Sequence, residues 1–116
     1  MSFFSTGPID NNLVGGVRQS QQVTVKIVNR SSVDNAVISI RGYFLNGTET
    51  LYVLELFPIS PNQVITKNYI VNFNYKFEFE ISGPAEEETG ISVWGKNAIG
   101  QTVAVHRIVS DELLRS

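Results

Sequence analysis

The chain has no cysteine, which excludes disulfides, thiolate metal sites and a cysteine nucleophile together and leaves the redox compartment open. It has one histidine, so a multi-histidine metal centre is excluded and acid–base chemistry would fall to carboxylates. Charge is also sparse: nine Lys and Arg against eleven Asp and Glu give a net charge of −2 and a pI near 5.3. Nucleic-acid binders usually carry a basic face, and this composition gives no reason to expect one. No apolar run approaches the roughly 18 residues of a membrane span. The N-terminus has neither the basic region nor the apolar region of a Sec signal peptide. No helical period is long enough to build a βαβ unit.

What is present is alternation. At 116 residues the chain fits one domain with a core large enough to need no metal or disulfide staple. Residues 21–29 place Val23, Val25 and Ile27 on one face against Thr24 and Lys26. Residues 37–45 place Ile38, Ile40 and Phe44 against Ser39, Arg41 and Tyr43. Asn46-Gly47 then predicts a tight type I′ hairpin into residues 48–57, which are apolar on both sides: Leu51, Val53 and Phe57 against Tyr52, Leu54 and Leu56. Pro58 and Pro61 are expected to end that strand, and residues 64–70 form a less regular one. Phe73, Tyr75, Phe77, Phe79 and Ile81 make the strongest period-2 run, with Asn74, Lys76, Glu78 and Glu80 outside, and mark the centre of the core. Residues 90–96 and 101–109 close the domain as a hairpin, Val103, Val105, Arg107 and Val109 alternating against Thr102, Ala104, His106 and Ile108. Seven such segments at spacings near ten residues predict an all-β antiparallel sandwich, jelly-roll or immunoglobulin-like. Its limits are residues 18–110. Residues 111–116 read as a tail, with Ser110 as the N-cap of one helical turn.

Residues 1–17 fit neither pattern. They carry Phe3 and Phe4, a Gly7-Pro8 breaker, Ile9, the apolar pair Leu13 and Val14, and Gly15-Gly16. One reading is a disordered terminus. Against it, a solvated tail is poor in large apolar groups, and burying Phe3, Phe4, Leu13 and Val14 is worth about 1.5–3 kcal/mol apiece. The segment therefore reads as an extended connector arm with apolar anchor points and a glycine hinge.

Asp10-Asn11-Asn12-Leu13-Val14-Gly15 resembles the Asp-x-Asn-Leu-Val-Gly leader that anchors collagen-like exosporium proteins to Bacillus spores. Asn11 stands where that leader usually has Pro, and the Gly-x-y repeats are absent. A small β domain behind a flexible connector is also similar in layout to the subunits of Bacillus endospore appendages, fibres built by slotting each connector into a neighbouring subunit. The resemblance implies a spore-surface location, reached without a Sec signal and otherwise cytoplasmic. The implied partners are further copies of the chain and spore-surface anchoring or collagen-like exosporium proteins. Without cysteine, it does not carry covalent crosslinking with it.

Candidate chemistry is thin. His106 sits in a strand with no matched nucleophile or orienting acid. Glu86, Glu87 and Glu88 read as a solvated loop, since calcium loops space their ligands along a turn. Glu78 and Glu80 share a strand face but lack an opposed carboxylate at glycosidase spacing. Asn29-Arg30-Ser31 and Asn46-Gly47-Thr48 are glycosylation sequons that matter only on a eukaryotic secretory route. No enzyme and no cofactor is expected. Trp94, the only tryptophan, sits on the Ser92 and Lys96 face, where it would either pack on a neighbouring subunit or, with Tyr52 and Tyr43, offer a sugar-stacking surface. Two functions follow. The first is a self-assembling structural subunit whose arm (Phe3, Phe4, Ile9, Asp10, Asn12, Leu13, Val14, Gly15, Gly16) inserts into the next copy. The second is a monomeric carbohydrate-binding module with Trp94 at its site.

Overall fold

The computed structural model describes residues 1–106 and 108–110; Arg107 and the expected tail at 111–116 lie outside the described residues. In chain order the strands are β1 (Ser2–Ser5), β2 (Leu13–Val14), β3 (Val17–Arg18), β4 (Gln22–Asn29), β5 (Ala36–Leu45), β6 (Glu49–Ile59), β7 (Val64–Ile70), β8 (Asn74–Ser82), β9 (Thr89–Lys96), β10 (Thr102–His106) and β11 (Val109–Ser110). Every pairing is antiparallel. One sheet has the order β11-β1-β8-β5-β6, the second β10-β9-β4-β7, and β2-β3 is a separate hairpin. The expected all-β antiparallel sandwich is the fold.

The core forms where the inward rows of both sheets meet. Val23, Val25 and Ile27 of β4 and Val93 of β9 face Ile38 and Ile40 of β5 and Tyr75, Phe77, Phe79 and Ile81 of β8. All are essentially inaccessible to water, and Phe77, Phe79 and Ile81 alone contribute about 1.5–3 kcal/mol each by burial. The strongest alternating run thus became the middle strand of its sheet.

The turns depart from expectation in detail. Asn46-Gly47 does join β5 to β6, but only Gly47 has positive φ (94°). The connection is a three-residue loop with Asn46 N–H donating to Thr48 O at 3.2 Å, not a type I′ turn. Pro58 does not end β6. It lies opposite Val37 within the strand, which an edge strand permits because one row of its backbone groups has no partner to lose. Pro61 instead opens the next turn: Asn62 takes φ 61° and Gln63 N–H closes on Ser60 O at 3.1 Å, the pattern of a type II turn.

Two bulges redirect side chains that simple alternation misassigns. In β6, Leu51 pairs with Tyr43 and Val53 with Gly42, leaving Tyr52 as the extra residue. Its ring turns inward, edge-on to Phe73 with centroids 5.0 Å apart, while Leu54 and Leu56 stay outside at 64% and 73% exposure. Tyr52 therefore does not share a face with those leucines. In β10, Thr102 pairs with Lys96 and Ala104 with Gly95, so Val103 is extra. Cross-strand partners share a face, which puts His106 inward beside Val93 and Val105 outward beside Trp94.

Glu55 ties the two sheets together at one side. It accepts the Tyr69 hydroxyl at 2.6 Å and pairs with Lys67 at 3.0 Å, joining β6 to β7. The Tyr69 hydrogen bond, with Lys67 beside it, holds the Glu55 carboxyl below the usual carboxylate range.

Gly42 is required by close approach: a Cβ there would lie 2.8 Å from the Phe77 ring and 3.0 Å from Val53 Cβ. Gly42→Ala is expected to destabilise the fold by about 1–3 kcal/mol, measured as a lower urea midpoint with an unchanged slope.

Candidate functional site

The N-terminal segment lies along the whole of β8. Ser2, Phe3, Phe4 and Ser5 stand opposite Ile81, Glu80, Phe79 and Glu78. Thr6 N–H donates to Phe77 O at 3.0 Å, and Ile9 and Tyr75 exchange backbone bonds of 2.7 and 3.1 Å. Asn11 N–H reaches the Asn74 side chain at 2.6 Å. The run is antiparallel throughout and interrupted only around Gly7-Pro8. Alternation along it splits the two phenylalanines. Phe4 packs against the core and lines a cavity of about 140 Å³ with Ile81, Thr89, Gly90, Ile91 and Ile108. Phe3 lies on the outer face, by a cleft with Ser39, Arg41 and Glu78.

Asn11 is the anchor that the sequence reading passed over. Its side chain is 4% exposed. The amide donates to Ser20 O (2.7 Å) and Phe73 O (3.2 Å), and its Oδ1 accepts from Ser20 N–H at 3.0 Å. Arg18 donates to the Asn11 carbonyl at 2.6 Å. Proline at this position would have neither the backbone N–H nor the amide, so the departure from the leader pattern is used structurally. At the far end, the Met1 ammonium and the Ser2 hydroxyl both reach Glu86. Glu86 is therefore engaged with the arm, while Glu87 and Glu88 are exposed.

After Asn11 the arm leaves the body. Asp10 and Asn12 are exposed, Asn12 accepting from Asn74 Nδ2 at 3.1 Å. Leu13 and Val14 are 59% and 77% exposed. Gly15 and Gly16, expected as a hinge, have φ 60° and 82° and close the β2-β3 hairpin, both positions taking the positive φ that a type I′ turn demands. Val14-Gly15-Gly16-Val17 was itself a two-residue hairpin signal.

On the outer face of the five-stranded sheet, Glu78 is not solvated as expected. It is 8% exposed and 3.5 Å from Lys76 Nζ, which also pairs with Glu49 and sits 4.8 Å from the Tyr43 ring centroid. Burial and the Glu78 carboxylate push the Tyr43 hydroxyl up to about 12. Trp94 and Tyr52 do not form one surface. Tyr52 donates to Ile70 O at 3.1 Å where β6 meets β7, and Trp94 is half-buried on the outer face of the four-stranded sheet. His106, read from the sequence as an ordinary strand residue, points inward with Nε2 2.6 Å from the Tyr75 hydroxyl. Burial lowers its pKa, which favours the neutral imidazole in this hydrogen bond. No group of three acidic or histidine side chains fit to hold a metal occurs among the described residues.

Asn11→Ala is expected to cost about 1–3 kcal/mol through the buried backbone groups it strands, and to speed amide hydrogen exchange in residues 2–11 more than in β4. His106 gives a pH dependence. Its folded pKa is below its unfolded value near 6.5, so the unfolded chain takes up the proton first. Its contribution is full above about pH 6.5 and falls as the pH drops below that value. Urea midpoints at pH 7.5 and about pH 5.5 are expected to show the loss, and His106→Gln, which keeps a partner for Tyr75 without titrating there, is expected to reduce it.

No protein-family model matches the chain, and no curated protein matches it in sequence. Among solved structures, the crystal structure of Thermotoga maritima 1070 aligns over 95% of this chain and 90% of its own, with a TM-score of 0.52 and 14% identity. The Anabaena sensory rhodopsin transducer aligns over 84% of this chain and 90% of its own, with a TM-score of 0.50 and 11% identity. At these identities the likeness is one of fold: the chain shares its all-β architecture with both.

Proposed function

We propose that the chain is a structural subunit that assembles with copies of itself by exchanging its N-terminal arm, in a spore-surface fibre or exosporium-associated assembly. The observation that carries this reading is the pairing of residues 2–11 along the whole of β8. The arm lies between β8 and the short strand β11, both of which belong to the body, so the arm of a neighbouring copy can take the same place with little change in energy.

Only two register pairs hold the β2-β3 hairpin. Opening it turns residues 12–19 into an extended connector of about 25 Å, with Gly15-Gly16 as its flexible centre. Arm and receiving edge are different surfaces, so the contact is heterologous and generates rings or open fibres. Leu13, Val14 and Val17 on the hairpin and Leu54 and Leu56 on β6 supply apolar surface for neighbouring copies to cover. The leader-like residues Asp10 to Gly15 favour the spore surface as the place of assembly, with anchoring or collagen-like exosporium proteins as further partners. With no cysteine, cohesion rests on strand pairing and burial.

Phe3 and Glu80 stand directly opposite in register. In the full chain carrying Phe3→Cys and Glu80→Cys, every disulfide reports where the arm sits, because there is no native thiol. A covalent ladder on a non-reducing gel, together with rings or filaments in negative stain, is the expected result. Disulfides confined to monomers at every concentration, with no assemblies, would overturn arm exchange.

A further inference from the structure

The four-stranded sheet carries no acidic residue: β4, β7, β9 and β10 contain neither Asp nor Glu, although the whole chain is net negative. Of the four lysines, Lys67 and Lys76 are ion-paired. The other two, Lys26 and Lys96, make no ion pair among the described residues, and both stand on the outer face of this sheet beside Trp94. Register fixes their arrangement. Trp94 pairs with Thr24, and Lys26 with Ser92 one step along the same face. Lys96 lies two residues beyond Trp94, so the lysines bracket the indole about 13 Å apart along the strand direction. Thr24, Lys26, Thr66, Trp94, Lys96 and Thr102 line one shallow groove of about 330 Å³. Thr24 is already bonded to Asn68 at 2.7 Å, while the Thr66 and Thr102 hydroxyls make no hydrogen bond among the described residues.

We propose that this groove binds an acidic polysaccharide segment, one whose sugar rings carry carboxylates: Trp94 stacks a ring face, Lys26 and Lys96 pair with carboxylates on either side, and Thr66 and Thr102 meet sugar hydroxyls. A half-buried aromatic platform with unbonded hydroxyls suits a sugar, whose ring is apolar on its faces and polar at its edge. Two lysines on a sheet without acidic residues suit carboxylates spaced along a sugar chain. A nucleic acid is normally held by a broader basic surface than two lysines provide. The site is on the sheet opposite the arm, so it does not depend on the assembly reading.

Trp94 is the only tryptophan, so its fluorescence in the full chain reports this face alone. Titration with a short oligogalacturonate is expected to give a saturable change that weakens with added salt. A neutral galactose oligomer of equal length is expected to bind about tenfold or more weaker, and the variant carrying Lys26→Ala and Lys96→Ala to lose the uronate by a similar factor. Both lysines lie on the outer face, and an unchanged urea midpoint would separate lost binding from lost fold. Four results would overturn the proposal: no response to the uronate, equal binding of the neutral oligomer, tighter binding of a single-stranded oligonucleotide, or a Trp94 that iodide cannot quench in the unliganded protein because another copy covers it.

Discussion

The open edge of β8 is the constraint on which the rest of the structure depends. This strand buries Tyr75, Phe77, Phe79 and Ile81 in the core and pairs with β5 on one side only. A long apolar strand with its other edge unpaired would template its own aggregation. Residues 2–11 close that edge, and do so from a chain terminus. The strand at the centre of the fold is therefore completed by the segment most easily detached from it.

Detachment is resisted at two points with different chemistry. At one end the Met1 ammonium and Ser2 hydroxyl meet Glu86, a partly exposed contact of the kind that contributes little net energy. At the other, Asn11 is buried, and its amide satisfies backbone groups of Ser20 and Phe73, where loss of a partner leaves polar groups stranded away from water. Phe4 adds apolar burial between them. The arm is held most firmly at its Asn11 end, next to the short hairpin that would have to open for it to reach another copy.

The two sides of the sandwich are finished differently. Where β6 meets β7, the sheets are joined by the Glu55, Tyr69 and Lys67 group and by Tyr52. The outer faces differ as well. The five-stranded sheet gathers charge into the Glu49, Lys76 and Glu78 cluster, of which Lys76 and Glu78 are buried, whereas Lys26 and Lys96 of the four-stranded sheet flank an aromatic ring and make no ion pair among the described residues. A net charge near zero conceals this division, because the acidic residues are segregated by sheet.

The sequence by itself determined the all-β class, the seven body strands and the identity of the central one, because a side-chain period of two is a local property that tertiary contacts did not override. It also marked residues 1–17 as apolar enough to bind something. Only the tertiary structure decided what. Antiparallel pairing of the arm with β8 joins residues some seventy positions apart, and period-2 patterning says nothing about partners. The same holds for Asn11 and His106, whose roles come from Ser20, Phe73 and Tyr75 folding around them. The bulges at Tyr52 and Val103 were hidden for a related reason: each adds one residue to a strand, reversing every side chain beyond it, and only the cross-strand register reveals the extra residue.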